Sequence, residues 1–159
     1  LKVGFAAAQR LGARDVVTLD VDGQHRFTDL PAVIAPLILG AADLVVGSRR
    51  LGASVGGSRL RNLGVRVFSA LLSFLTGQKI TDCASGLRGL AMARLHALRL
   101  RQNRHHTAEL ILEAARRGLT IVEVPITIVP RHQGESKKGT SVAYALRFTL
   151  TILSAWWRR

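Results

Sequence analysis

Val16-Val17-Thr18-Leu19-Asp20-Val21-Asp22-Gly23-Gln24-His25 is an apolar run that ends in two carboxylates one residue apart, followed by a glycine. An uninterrupted apolar run of this kind, from Asp15 to Leu19, reads as a strand buried on both faces of a parallel sheet. Residues two apart on a strand project to the same side, so Asp20 and Asp22 converge while Val21 turns toward the core. Two carboxylates held that close repel, and one tends to stay protonated unless a cation lies between them. Mg²⁺ is commonly bound by only one or two carboxylates, with waters and substrate phosphates completing its octahedron. The pair alone supports two readings: half of a metal–diphosphate site, or a solvated strand end followed by an Asp-Gly turn.

Around this run the chain alternates helix and strand, which is the pattern of an α/β domain. Val3 to Leu11 reads as a helix that Gly12 ends. Leu30 to Leu39 reads as a second, with Pro31 near its start and Gly40 past its end, and Asp43 to Gly47 as a second buried strand. Ser58 is placed to cap a long helix from Arg59 to Leu75. Its Leu60, Leu63, Val67, Leu71 and Leu75 follow helical spacing and are expected to lie against the sheet. Thr107 is placed to cap a helix from Ala108 to Arg117 that Gly118 closes. A strand from Leu119 to Val124 follows, which Pro125 interrupts before Ile126 to Val129.

The 159 residues, 48% apolar and 21% charged, suffice for one domain with a real core. A single cysteine, Cys83, excludes an intramolecular disulfide and fits a reducing compartment, with burial as an inert thiol the plain alternative. Against 10 acidic residues stand 23 lysines and arginines, a net charge of +13, so the partner is expected to be anionic. Nucleic acid is disfavoured, because aromatics make up only 5% and form no stacking platform.

Two loops carry further chemistry. Gly47-Ser48-Arg49-Arg50 follows a buried strand, and ligands in open α/β sheets bind beyond the carboxyl ends of strands. Arg59 and Arg61 fall in the first turn of a helix, where cations oppose the helix dipole unless an anion binds there. Pro130 to Ser141 is a glycine-punctuated basic loop. Gly134 and Gly139 have Walker A spacing, but Thr140 stands where the lysine belongs, so the P-loop reading fails. No Gly-x-Gly-x-x-Gly occurs. His105 and His106 are adjacent and diverge on a helix, which argues against a zinc site.

Taken in order, Leu19-Asp20-Val21-Asp22-Gly23-Gln24-His25, Val46-Gly47-Ser48-Arg49, Asp82-Cys83-Ala84-Ser85-Gly86-Leu87-Arg88, Glu123-Val124-Pro125-Ile126 and Arg131-His132-Gln133-Gly134-Glu135-Ser136-Lys137 resemble family 2 glycosyltransferases. The likeness is to the dolichol-phosphate mannosyltransferase and polyprenyl-phosphate hexosyltransferase branch. It implies a GT-A fold, a mostly parallel sheet flanked by helices. It also implies inverting transfer of a hexose from a GDP- or UDP-hexose donor onto a polyprenyl phosphate, with Mg²⁺ or Mn²⁺ as cofactor. Carried over, Asp20 and Asp22 would hold the metal, with Gln24 as a neighbouring polar group. Arg49, Arg61, Arg131 and Lys137 would gather the donor and lipid phosphates. Asp82 and Glu109 are the remaining acids at motif positions and would orient the sugar or assist proton removal. A helix first turn and a loop cap are ordinary settings for these two acids as well. The family opens with an apolar strand ending in Pro-x-Tyr-Asn-Glu and a further strand, which hold the nucleotide base. This chain starts after both, so an N-terminally truncated GT-A domain is expected, with an unpaired edge beside Val16 to Leu19.

The expected organisation is a partial catalytic domain over 1–130, a basic active-site loop over 131–141 and a C-terminal amphipathic helix over 142–159. That last stretch is shorter than the roughly 20 residues of a spanning helix. Trp156, Trp157, Arg158 and Arg159 suit the interface of an anionic membrane, and docking on the protein core is the other reading. The resemblance places the protein at the cytoplasmic face of the cell membrane. A saccharide or other lipid acceptor, and an inactive truncated paralogue, are the alternatives.

Overall fold

In the computed structural model, residues 1–54, 59–100 and 106–130 are described, together with 149, 152, 154, 156 and 157. Four helices, α1 (Lys2–Arg10), α2 (Leu30–Ile38), α3 (Arg59–Thr76) and α4 (His106–Arg116), surround four strands. The strands are β1 (Asp15–Thr18), β2 (Leu44–Ser54), β3 (Arg88–Ala91) and β4 (Ile121–Ile128), in the spatial order β1-β3-β2-β4. The helix ends lie close to where the glycines put them. Gly40 and Gly118 take φ of 66° and 67°, the left-handed conformation that ends a helix and that only glycine adopts without strain.

β1, β2 and β4 run the same way, but β3 runs against both of its neighbours, β1 and β2. The expectation that β1 lies buried within parallel neighbours is therefore corrected. β1 is an edge strand among the described residues, paired on one side only, and all four of its residues are half-buried. Its short apolar run is consistent with either setting, which is why the pattern alone misleads. β3 has no strand signal in the sequence, because Arg88-Gly89-Leu90-Ala91 has neither an apolar run nor alternation.

The sheet has helices on both faces. Along β2, Leu44 and Val46 join one core with Phe5 of α1, Leu72 of α3 and Ala108, Ile111 and Leu112 of α4. Val45 points the other way, into a second core with Val33 and Leu37 of α2, Leu87 and Ile126. α2 sits close on β3, since a Cβ at Gly89 would lie 2.6 Å from Leu37 Cδ1. The expected packing of α3 holds only in its second half. Leu72 is fully buried and Leu71 and Leu75 pack on the core, whereas Leu60, Leu63 and Val67 are exposed. Ile152 is fully buried in the first core and the Arg116 guanidinium lies 5.3 Å from the Trp156 ring, so the C-terminal stretch docks beside α4 at these two points, while Trp157 is exposed. No helix among the described residues is long and apolar enough to cross a membrane.

Two boundaries differ from expectation in a way that shapes the site. β2 does not stop at Gly47 but continues through Ser48, Arg49 and Arg50 to Ser54. β4 does not break at Pro125 but runs through it. The two strands lose register between Ser48 and Ala53, so Arg49 to Gly52 bulge opposite Ile126, and Pro125 holds the last regular pair before the bulge, on a strand that is an edge among the described residues.

Cys83 is fully buried, and burial raises its thiol to about 11. Only about one thiol in a thousand is then ionised at pH 8. Iodoacetamide is expected to label it orders of magnitude more slowly in the folded protein than in urea, followed by mass spectrometry. Equal rates would contradict this packing.

Candidate functional site

The three co-directional strands end on one side of the sheet, and β3 begins there, with Arg88 paired to both Thr18 of β1 and Val46 of β2. The Asp20–Asp22 loop crosses this end of the sheet. It leaves the β1 edge, where the Thr18 hydroxyl donates to Gly86 O at 3.3 Å. It reaches the opposite edge at β4, where His25 bridges Ile128, Gln24 Nε2 donates to Val129 O at 3.1 Å and Asp29 accepts the Thr127 N–H at 2.7 Å. Gln24 is thus used to fasten the loop. Its backbone N–H also donates to Asp22 Oδ1 at 3.2 Å.

Asp20 and Asp22 stand beyond the strand, which ends at Thr18. The expected inward turn of Val21 is corrected: the strand period does not extend to it, and it is 97% exposed. What seats Asp20 is Gly86. A Cβ there would come within 2.5 Å of Asp20 Cγ and Oδ2. Both carboxylates act on His25, whose imidazole is nonetheless held below its ordinary pKa by burial. The buried His25 Nδ1 has no hydrogen-bond partner. Two hard oxygen donors fit Mg²⁺ or Mn²⁺. Among the described residues no group of three or more histidine, cysteine or acidic side chains could hold an ion alone, so waters and a substrate's phosphates would have to supply the other ligands.

Arg49 and Asp82 form the second part of the site. Asp82 is fully buried. It accepts Arg49 Nε at 2.6 Å, Arg49 Nη2 at 2.6 Å, the Arg49 backbone N–H at 3.0 Å and the Ala84 N–H at 3.2 Å. Burial alone would lower the Arg49 pKa, but the bonds to Asp82 outweigh it and leave the guanidinium above its ordinary value. Of its five N–H groups, two side-chain ones serve Asp82, leaving three directed elsewhere. Asp82 is therefore an anchor for Arg49, with both oxygens engaged.

Arg88, which no local sequence pattern singles out, is the third. It is 4% exposed, and its Nε and Nη2 donate to Ser85 O while Nη2 also reaches Thr107 Oγ1 at 2.7 Å. Burial lowers its pKa to about 10, and the fields of Asp20 and Asp82 work against that loss. Thr107 lies inside α4 instead of capping it, and its hydroxyl serves Arg88. Glu109, in the first turn of the same helix, is buried. Arg61 lies in the first turn of α3, as expected. Arg131 and Lys137 lie outside the described residues.

The fold is of GT-A type. It matches glucosyl-3-phosphoglycerate synthase from Mycobacterium tuberculosis, in complex with phosphoglyceric acid, with a TM-score of 0.69 at 22% identity, covering 97% of this chain and 54% of that one. In sequence the chain is 34% identical to a UDP-N-acetylglucosamine–dolichyl-phosphate N-acetylglucosaminyltransferase of Methanococcus voltae, over 94% of this chain and 61% of the relative. It is 33% identical to an undecaprenyl-phosphate mannosyltransferase of Micrococcus luteus, over 87% of this chain and 59% of the relative. No family model matches. The chain is a homologue of dolichyl- and polyprenyl-phosphate glycosyltransferases, and it spans 53–61% of the length of three such relatives.

Proposed function

We propose that this chain carries the metal- and phosphate-handling part of a glycosyltransferase that moves a hexose from a nucleotide-sugar to a polyprenyl phosphate. The observation that supports it best is the gathering of Asp20, Arg49 with Asp82, and Arg88 over one end of the sheet, in a homologue of lipid-phosphate transferases. Asp20 and Asp22 would bind Mg²⁺ or Mn²⁺ on the donor diphosphate. When bound, the ion offsets charge that develops on the departing nucleoside diphosphate. Arg49, Arg61, Arg131 and Lys137 would bind the donor and acceptor phosphates, each as a charge-assisted contact. An acceptor phosphate oxygen bonds to the sugar C1 as the bond from C1 to the diphosphate oxygen breaks. That nucleophile is already anionic, so no strong base is needed, and Asp82 and Glu109 serve to position other groups. The site would work at the cytoplasmic membrane surface, where the basic charge meets anionic lipid headgroups.

The test is transfer of labelled hexose from UDP- and GDP-sugars to polyprenyl phosphate, with a free glycan as the competing acceptor, in the presence of Mn²⁺. Asp22→Asn is expected to remove Mn²⁺-dependent donor binding while circular dichroism stays unchanged. Donor affinity equal to the parent's in that variant would refute the metal role, and sugar found only on the glycan would move the acceptor to the saccharide class.

A further inference from the structure

We propose that Glu123, on β4, is a positioning residue for Arg49. It holds the Thr81–Asp82 turn, and that turn fixes the guanidinium over the strand ends. The use of Arg49 as a phosphate ligand rests on the function proposed above, but the positioning itself does not.

Glu123 pairs with Val46 in the ladder, two pairs before the place where β2 and β4 part after Ser48 and Pro125. Its Oε1 accepts the N–H groups of Thr81 and Asp82, both at 3.0 Å. Its Oε2 accepts the Thr81 N–H at 2.8 Å and the Thr81 hydroxyl at 2.7 Å. A side chain that only accepts thereby sets the direction of everything attached to it. The Thr81 hydroxyl gives its proton to Glu123, so in the 2.6 Å contact between Ser48 Oγ and Thr81 Oγ1 it is Ser48 that donates. The Ser48 oxygen is then oriented to accept the Arg50 N–H at 3.3 Å.

The consequence for Arg49 follows from the bulge. Where β2 leaves the register of β4, backbone N–H groups must find partners other than the ladder. The Arg49 N–H goes to Asp82 and the Arg50 N–H to Ser48, and both acceptors are tied to Glu123 through Thr81 or the Asp82 backbone. Asp82 then takes both side-chain bonds of Arg49. One carboxylate on β4 thus governs the backbone and the guanidinium of a residue on the neighbouring strand. Asp43 and Glu113 pair instead with Arg94 and Arg116.

Glutamine at 123 would turn an NH₂ group toward two of these donors, so Glu123→Gln tests the role with little change of volume. The direct readout is the Arg49 Nε–H signal in ¹⁵N spectra of the full chain, assigned by its loss in Arg49→Lys. In Glu123→Gln this signal is expected to shift and its solvent exchange to speed up about tenfold or more, as befits a loosened anchor, while thermal unfolding stays cooperative. Thr81→Val, which keeps Glu123 but removes the hydroxyl link, is expected to change the same signal in the same direction, and it carries the test if Glu123→Gln does not fold. An unmoved Arg49 signal in a folded Glu123→Gln or Thr81→Val variant overturns the proposal. The second readout is binding of Mn²⁺-pyrophosphate. Glu123→Gln and Arg49→Lys are each expected to weaken it, and the double variant no further than Arg49→Lys alone, whereas additive losses overturn it. A parent chain that does not bind Mn²⁺-pyrophosphate counts against the proposed function, and the Arg49 signal then decides the positioning role by itself.

Discussion

Asp82→Ala is expected to destabilise the protein by about 3 kcal/mol, the lower end of what removing one partner of a buried ion pair costs. The lower end applies because the Arg49 side chain is 22% exposed and can recover part of its hydration, whereas Asp82 is fully buried. The loss is larger than a surface pair would give, because four donors lose their acceptor together: three on Arg49 and the Ala84 N–H. Asp82→Asn keeps the shape but turns an amide NH₂ toward the guanidinium, so it is expected to lie close to the alanine variant. Urea unfolding of both variants measures this, and a loss under about 1 kcal/mol in each would mean that the pair contributes no more than an exposed one.

Gly86→Ala is expected to separate stability from metal binding. The new Cβ would stand 2.5 Å from the Asp20 carboxylate, so the carboxylate must move. Asp20 is exposed and can rotate away, so the fold should lose no more than about 1 kcal/mol, the ordinary effect of a point substitution. Mn²⁺ affinity measured with a nucleoside diphosphate should fall about tenfold or more, because displacing a ligand is felt fully at a two-carboxylate site. Gly64→Ala is the matched control, since a Cβ there meets nothing within 4 Å. If Gly86→Ala and Gly64→Ala bind Mn²⁺ equally, Gly86 is not the seat of Asp20.

What the sequence made legible was what local pattern encodes. Gly40 and Gly118 stop their helices, Leu44 to Val46 is a buried strand, and the Asp20–Asp22 pair and Arg49 fall at one end of the sheet. What it hid depends on partners far along the chain. Glu123 is a lone acid in an apolar strand, and only the turn 41 and 42 residues before it explains why it is there. The motif around Arg88 carries no sign of its role, because its burial is set by Ser85 and by Thr107 on another element. The direction of β3 could not be read from four residues whose burial comes from strands on either side. Val21 faces solvent because strand alternation does not extend past a strand that ends at Thr18.

The antiparallel β3 between β1 and β2 also bears on how the protein acquires its site. β3 joins β1 across pairs such as Thr18 with Arg88, and β2 across Val46 with Arg88, while β4 joins β2 from nearly eighty residues later in the chain, Leu44 with Ile121. Each of these closures must first overcome the entropy of a long loop, which places such topologies among the slower folders. The site draws on all four strands, so no hairpin or helix formed early contains even a partial version of it. A partly opened molecule, with β3 released from either neighbour, keeps its helices but loses both the Arg88 charge that acts with Asp20 and the Gly86 seat. Loss of ligand binding should therefore precede loss of helical circular dichroism on mild denaturation, and the ligand should protect the amide hydrogens of β3 from exchange more than those of α4.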